Sequence, residues 1–108
     1  MKKYEIVKEH KEFNNIIQNS KYIKNNNFVI YFRKSEINYP RFGIAISTKF
    51  GKAHIRNYYK RIIRNIIDIN KKSFKNNTDY IIMIKKNSSL NNYNELKISF
   101  ENLIKELN

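Results

Sequence analysis

The chain has 108 residues, 41% of them hydrophobic and 14% aromatic, enough for one domain spanning residues 1–108 and too few for two cores. Twenty-two Lys and Arg against nine Asp and Glu give a formal charge of +13, which an enzyme for small neutral metabolites does not need and a polyanion partner does. Cysteine is absent, so disulfide frameworks and thiolate metal sites are excluded, a pattern that suits a reducing cytoplasm. No apolar run approaches the ~20 residues of a membrane span, and Met1 to Glu5 lack the apolar stretch of a signal peptide.

In chain order, Glu9 to Asn19 carry Phe13, Ile16 and Ile17 at three-and-four spacing, which predicts a short amphipathic helix. Asn25-Asn26-Asn27 reads as a turn, because Asn tolerates left-handed backbone. Phe28 to Phe32 is a β-rich run, with Phe28, Ile30 and Phe32 on one face and Val29, Tyr31 and Arg33 on the other. Arg41 to Ser47 is a second strand that alternates large with small, and the Glu36 to Pro40 connection suits a hairpin between the two. From about Lys52 to Asn70 the pattern turns helical. Asn76-Asn77 is another turn, Asp79 to Ile84 a third strand, and Asn92 to Leu107 a last helix with Tyr93, Leu96, Phe100, Leu103, Ile104 and Leu107 inward. The expected fold is α+β: one small sheet with helices packed on it, in the order α-β-β-α-β-α.

The helix in the middle carries the strongest functional signal. Between Glu36 and Asp68 there is no acidic residue, yet the run holds Arg41, Lys49, Lys52, Arg56, Lys60, Arg61 and Arg64. The chain is rich in Lys, Asn and Ile, which suggests base bias, so arginine is the more telling cation; of only five, Arg56, Arg61 and Arg64 lie together on one short helical stretch. At about 100° per residue, with Arg56 as zero, Lys60 falls near ~40°, Arg64 near ~80°, Asn57 near ~100° and Arg61 near ~140°. Ile55, Tyr58, Tyr59, Ile62, Ile63, Ile66 and Ile69 fill roughly the ~200–340° arc expected to face the sheet. A solvated face is the ordinary explanation of such charges. Solvated faces, however, mix signs in supporting i,i+4 pairs, and like charges at that spacing cost a few tenths of a kcal/mol each. An unbalanced comb about 12 Å long matches two or three phosphates better than a small anion. Gly51, behind Ser47, Thr48 and Lys49, leaves a helix N-terminus that can hold a phosphate, but one Gly and no Ser or Thr after Lys52 do not make a nucleotide-binding loop.

The small residues Gly43, Ala45 and Ser47 leave room beside their strand for a single strand of nucleic acid. Tyr31 either stacks a base on that open face or packs under the first helix. No catalytic constellation appears: His10 and His54 have no acidic partner in a recognised spacing, and Glu95, Glu101 and Glu106 are spread along the last helix as solubilising charge. A basic helix lying on anionic lipid is disfavoured, since its other face must cover the sheet.

Read together, Arg41 to Arg64 carry G-x-A-x-x-R-N-x-x-K-R-x-x-R on Gly51, Ala53, Arg56, Asn57, Lys60, Arg61 and Arg64, preceded by Arg41-Phe42-Gly43-Ile44 and Ser47-Thr48-Lys49. This resembles the signature of the bacterial ribonuclease P protein component. The resemblance extends over nearly the whole chain, through Glu12-Phe13, Phe28 to Tyr31 and Asp79 to Ile82. It implies a fold like the second domain of a small-subunit ribosomal protein, with a left-handed β-α-β crossover that runs against the general rule. It implies a cytoplasmic subunit that binds a catalytic RNA and the 5′ leader of precursor tRNA and assists Mg²⁺-dependent leader removal, with no DNA or membrane partner. The catalytic centre and the Mg²⁺ would belong mainly to the RNA, with no catalytic or metal-binding residue in this chain. The implied RNA-subunit contacts are Lys52, Arg56, Asn57, Lys60, Arg61 and Arg64, and the implied leader contacts Phe13, Ile17, Tyr31, Ser47 and Lys49. Three positions depart from the family pattern: Tyr58 replaces an Arg, Thr48 a Lys and Ile17 an aromatic, which together predict weaker RNA and leader contacts. A ribosomal or other structural RNA-binding protein would share the basic helix without needing a leader cleft.

Overall fold

The computed structural model describes residues 2–7, 10–85 and 92–107; Glu9, the expected start of the first helix, lies outside them. Three helices, α1 (His10–Gln18), α2 (Ala53–Ile69) and α3 (Tyr93–Ile104), flank a sheet of β1 (Lys21–Lys24), β2 (Phe28–Lys34), β3 (Arg41–Ala45) and β4 (Thr78–Ile84). The α+β class stands, but the order is α-β-β-β-α-β-α, one strand richer than the sequence reading. The extra strand is Lys-Tyr-Ile-Lys, whose only inward side chain is Ile23; four residues with Lys at both ends carry almost no periodic signal and protect a sheet edge from further pairing. The Asn turn then closes the β1–β2 hairpin, with Asn25 Oδ1 accepting from the backbone N–H groups of Asn27 (2.9 Å) and Phe28 (2.8 Å).

The sheet order is β1-β2-β4-β3, so the expected hairpin between Phe28–Phe32 and Arg41–Ser47 does not form. β4 inserts between those strands, antiparallel to β2 and parallel to β3. The reason lies in β4 itself: Tyr80, Ile81, Ile82 and Ile84 are apolar on both faces and all buried, which demands a central position. The β3–α2–β4 connection is therefore a parallel crossover. Asn77, in the loop before β4, has φ 57°, as an Asn turn requires.

Alternation divides the sheet into two cores. Phe28, Ile30, Phe42, Tyr80 and Ile82 pack with Ile62, Ile63, Ile66 and Ile67 of α2 and Leu96, Phe100, Leu103 and Ile104 of α3. On the opposite face a smaller cluster of Val7, Ile16 and Ile81 gathers Phe13, Ile17, Tyr31, Ala45 and Met83 beneath α1. Helix α3 starts on Asn92, whose Oδ1 accepts from Glu95 N (2.9 Å) while its Nδ2 donates to Glu95 Oε1 (2.6 Å). Glu95 is thus a capping residue rather than spare charge, and Glu101 accepts from Asn70 Nδ2 at 2.8 Å. Tyr93 and Leu107 are half-buried and pack against the main core, on the inward side where periodicity puts them.

Candidate nucleic-acid interface

Helix α2 lies on the sheet rotated from the sequence-based wheel. Ile67, outside the expected apolar arc, is buried, whereas Ile69 is 55% and Tyr58 45% exposed, and Ile55 is also at the surface. The buried arc is displaced toward Arg56 and Lys60, because Ile62, Ile63, Ile66 and Ile67 are the residues that seat α2 in the main core. Arg56 and Lys60 are consequently half-buried, while Lys52, Asn57, Arg61 and Arg64 stand exposed on the crest. Arg56 Nη1 donates to the carbonyl of Gly51 at 2.8 Å, tying the guanidinium to the loop that enters the helix.

The two remaining arginines do internal work. Arg41 donates from Nε to Asp79 Oδ1 (2.8 Å) and from Nη2 to Asp79 Oδ2 (2.9 Å), and its Nη1 lies 2.7 Å from Glu12 Oε1 of α1. Arg33 Nε stands 3.5 Å from the same Asp79, which is 1% exposed. The Asp79 hydrogen bonds and charge, aided by Glu12 and opposed by burial, raise the Arg41 pKa further above its ordinary value. Arg41, counted in sequence with the acid-free run, is therefore bound to carboxylates and serves as a tie between β3, β4 and α1.

Beside β3, α1 and the sheet enclose a cleft of about 370 Å³. Phe13 and Ile17 form the helix wall, Ala45, Ser47 and Met83 the strand side, and Lys60 reaches in from α2. A second cavity of about 290 Å³ adjoins it and shares Phe13, Ile44 and Lys60, with Arg64 at its other side. The cationic strip and the cleft are thus continuous, and Lys60 is the joint. Gly43 allows the close approach on which this depends: a Cβ there would meet Ile81 Cδ1 and Phe13 Cζ, each at 2.6 Å.

Of the expected leader contacts, the fold brings Phe13, Ile17 and Ser47 together in the cleft. Tyr31 lies on the same sheet face but outside that lining, packed with the small core and 5.8 Å from the Tyr22 ring that pairs across from it. Lys49 is exposed in the turn of Thr48–Phe50, its backbone N–H donating to Ser47 Oγ at 3.1 Å. His10 and Asn14 also line the cleft and escaped the sequence reading. Their i, i+3, i+4, i+7 relation to Phe13 and Ile17 was the available signal, since those four positions share one helix face. Among the described residues, no group of three or more His, Cys, Asp or Glu side chains comes together as a metal centre.

The family profile for ribonuclease P matches residues 1–108. The chain is 36% identical over 108 residues to the ribonuclease P protein component of Mycoplasma mycoides, covering 99% of each. It is 33% identical over 105 residues to that of Streptococcus agalactiae, covering 97% of this chain and 95% of the relative. Among solved structures, the ribonuclease P protein of Thermotoga maritima superposes with a TM-score of 0.86 at 30% identity, covering 96% of this chain and 98% of that one. The Staphylococcus aureus protein gives 0.87 at 27% identity, covering 95% and 94%. With a profile match over residues 1–108, relatives matched over nearly their whole length and a shared fold, this chain belongs to the ribonuclease P protein component family, which is part of an endoribonuclease complex of tRNA processing and implies an RNA partner.

Proposed function

We propose that this chain is the protein subunit of a ribonuclease P ribonucleoprotein, gripping the catalytic RNA with α2 and the 5′ leader of precursor tRNA with the cleft beneath α1. The observation that carries this reading is the continuity of strip and cleft through Lys60. Two polyanions must approach each other in such a complex, and cations placed between them replace the counterions each would otherwise hold. Lys52, Asn57, Arg61 and Arg64 meet phosphates of the RNA subunit on the crest of α2, and Arg56 meets them from its rim. Lys60, at the junction, serves both chains.

The cleft suits a single strand. Its floor of Ala45 and Met83 is shallow and apolar, Phe13 offers a ring for a base, and Ser47 a hydroxyl for sugar or phosphate. Tyr31 and its neighbour Tyr22 continue this face, and Lys49 stands beyond Ser47 as a point charge on the backbone's path. Three of the described carboxylates are already held by cations: Asp79 and Glu12 by Arg41, and Glu5 by Lys71. In this reading Mg²⁺ and the catalytic centre belong to the RNA, and this chain supplies binding, orientation and charge. Among the described residues no helix is long and apolar enough to cross a membrane. We place the activity in the cytoplasm, with RNA rather than DNA or lipid as partner.

Leader cleavage by the cognate catalytic RNA, measured over graded Mg²⁺ with and without the protein, tests the assignment. The protein is expected to lower the Mg²⁺ required and to bind precursor tRNA more tightly when a leader is present. An unchanged Mg²⁺ requirement together with leader-independent affinity would instead identify a structural RNA-binding protein.

A further inference from the structure

On the flank of α2 away from the cleft, a groove of about 370 Å³ runs between α2 and α3, lined by Tyr58, Arg61, Ile62, Asn65 and Tyr93. Tyr58 occupies the position where the family pattern has an arginine. The residue is 45% exposed, yet its ring is not loose. Tyr58 meets Tyr59 edge-on at 5.4 Å, and Tyr59 meets Phe50 edge-on at 4.9 Å, a chain of rings that holds Tyr58 in place from the loop before the helix. At the far end of the groove Tyr93 Oη donates to Asn65 Oδ1, which orients the amide and leaves Nδ2 to donate.

A fixed ring face, a neighbouring guanidinium and an oriented amide donor together match a planar, hydrogen-bonding group on an anionic chain. We propose that this groove takes one unpaired nucleobase of the RNA partner, stacked on Tyr58, with its phosphate on Arg61 and its edge read by Asn65. The proposal rests on the RNA-binding reading above and turns the Tyr58 departure from the loss of one phosphate contact into the gain of a stacking contact. Charge decides the class of occupant: Arg61 lies in the groove, Asn57 and Arg64 stand on the crest beside it, and α2 carries no acidic residue before Asp68, so a neutral apolar peptide has no use for the site.

The test is equilibrium binding of the full chain to the catalytic RNA of ribonuclease P over a range of salt, for wild type, Tyr58→Ala, Tyr58→Phe and Arg56→Ala. Ala favours an exposed helical position, so the fold is expected to survive Tyr58→Ala. Stacking predicts that Tyr58→Ala weakens binding by about 5- to 150-fold with an unchanged salt slope, because the ring releases no counterion. Tyr58→Phe keeps the ring face and should bind within about twofold of wild type. The groove is wrong if Tyr58→Ala binds like wild type while Arg56→Ala weakens binding, a result that leaves the RNA-binding reading intact. It is equally wrong if Tyr58→Phe loses as much as Tyr58→Ala, since the hydroxyl and not the ring would then act. If the wild type itself does not bind the RNA, the reading beneath the proposal fails with it.

Discussion

At Gly43 a single hydrogen decides whether the cleft has its shape. The ring of Phe13 and the tip of Ile81 occupy the space a Cβ would need, each at 2.6 Å, and both belong to the small core under α1. Gly43→Ala is therefore expected to destabilise the fold by about 1–3 kcal/mol through overpacking. It should also push the Phe13 ring toward the cleft and reduce leader-dependent affinity more than affinity for leaderless tRNA. Denaturant unfolding checks the first effect and paired binding curves the second; a variant of wild-type stability would show that Phe13 is free to move aside. Asp79 illustrates the opposite case, a residue whose polarity is internal. Its carboxylate is buried, doubly bonded to Arg41 and approached by Arg33, so two cations that look available for RNA in the sequence are spent on joining strands.

For α2, composition predicted the chemistry and packing set the orientation. The helix, Ala53–Ile69 in the fold, was legible as about Lys52 to Asn70 because isoleucines recur at helical spacing between uninterrupted cations. Its rotation was not, because α2 carries more apolar residues than one face can bury, and periodicity does not say which of Ile55, Tyr58, Ile67 and Ile69 the core takes. Seating Ile67 lifts Tyr58 and Ile69 to the surface and draws Arg56 and Lys60 to the rim, which separates the cations by role. Arg64, exposed, is expected on Arg64→Ala to lose affinity for the catalytic RNA and to flatten its salt slope by about one unit, with fold stability changed by no more than about 0.5 kcal/mol. Titrations across salt read the slope directly, and an unaltered slope would remove Arg64 from the interface.

Across the whole molecule, the N-terminal segment is fastened to the end of α2 by one ion pair. Glu5, in the turn of Lys3–Glu5, is buried and lies 2.6 Å from Lys71 Nζ, while its Oε1 accepts from Lys2 N at 2.9 Å. Burial alone would raise the Glu5 pKa; the Lys71 hydrogen bond, the Lys2 backbone N–H and the Lys71 charge outweigh it, and the result lies below the ordinary 4.5. A lowered folded-state pKa means that the contribution is fully present above the unfolded value and disappears as pH falls through the folded one. The Tm difference between wild type and Glu5→Gln should therefore be constant from neutral pH down to about 5 and shrink below about 4.5. A difference that persists undiminished in strong acid would assign the effect to packing. Because Val7 N donates to Phe42 O at 2.8 Å just beyond this anchor, the same pair also keeps the N-terminal segment on the free edge of β3.

By itself the amino-acid sequence determined the α+β class, both Asn turns, the faces of β2, the inward side of α3 and the family, since periodicity, turn chemistry and the spacing from Gly51 to Arg64 are local properties. Tertiary structure alone decided what depends on neighbours distant in the chain. β4 entered between β2 and β3 because a strand apolar on both faces needs a partner on each side, and β1 formed only because β2 offered it an edge. The cleft exists because Gly43 lets Phe13 descend onto the sheet. Lys60, one tooth of a cationic comb in the sequence, joins that comb to the cleft because seating Ile67 in the main core brings the Lys60 side of α2 to the rim of the sheet.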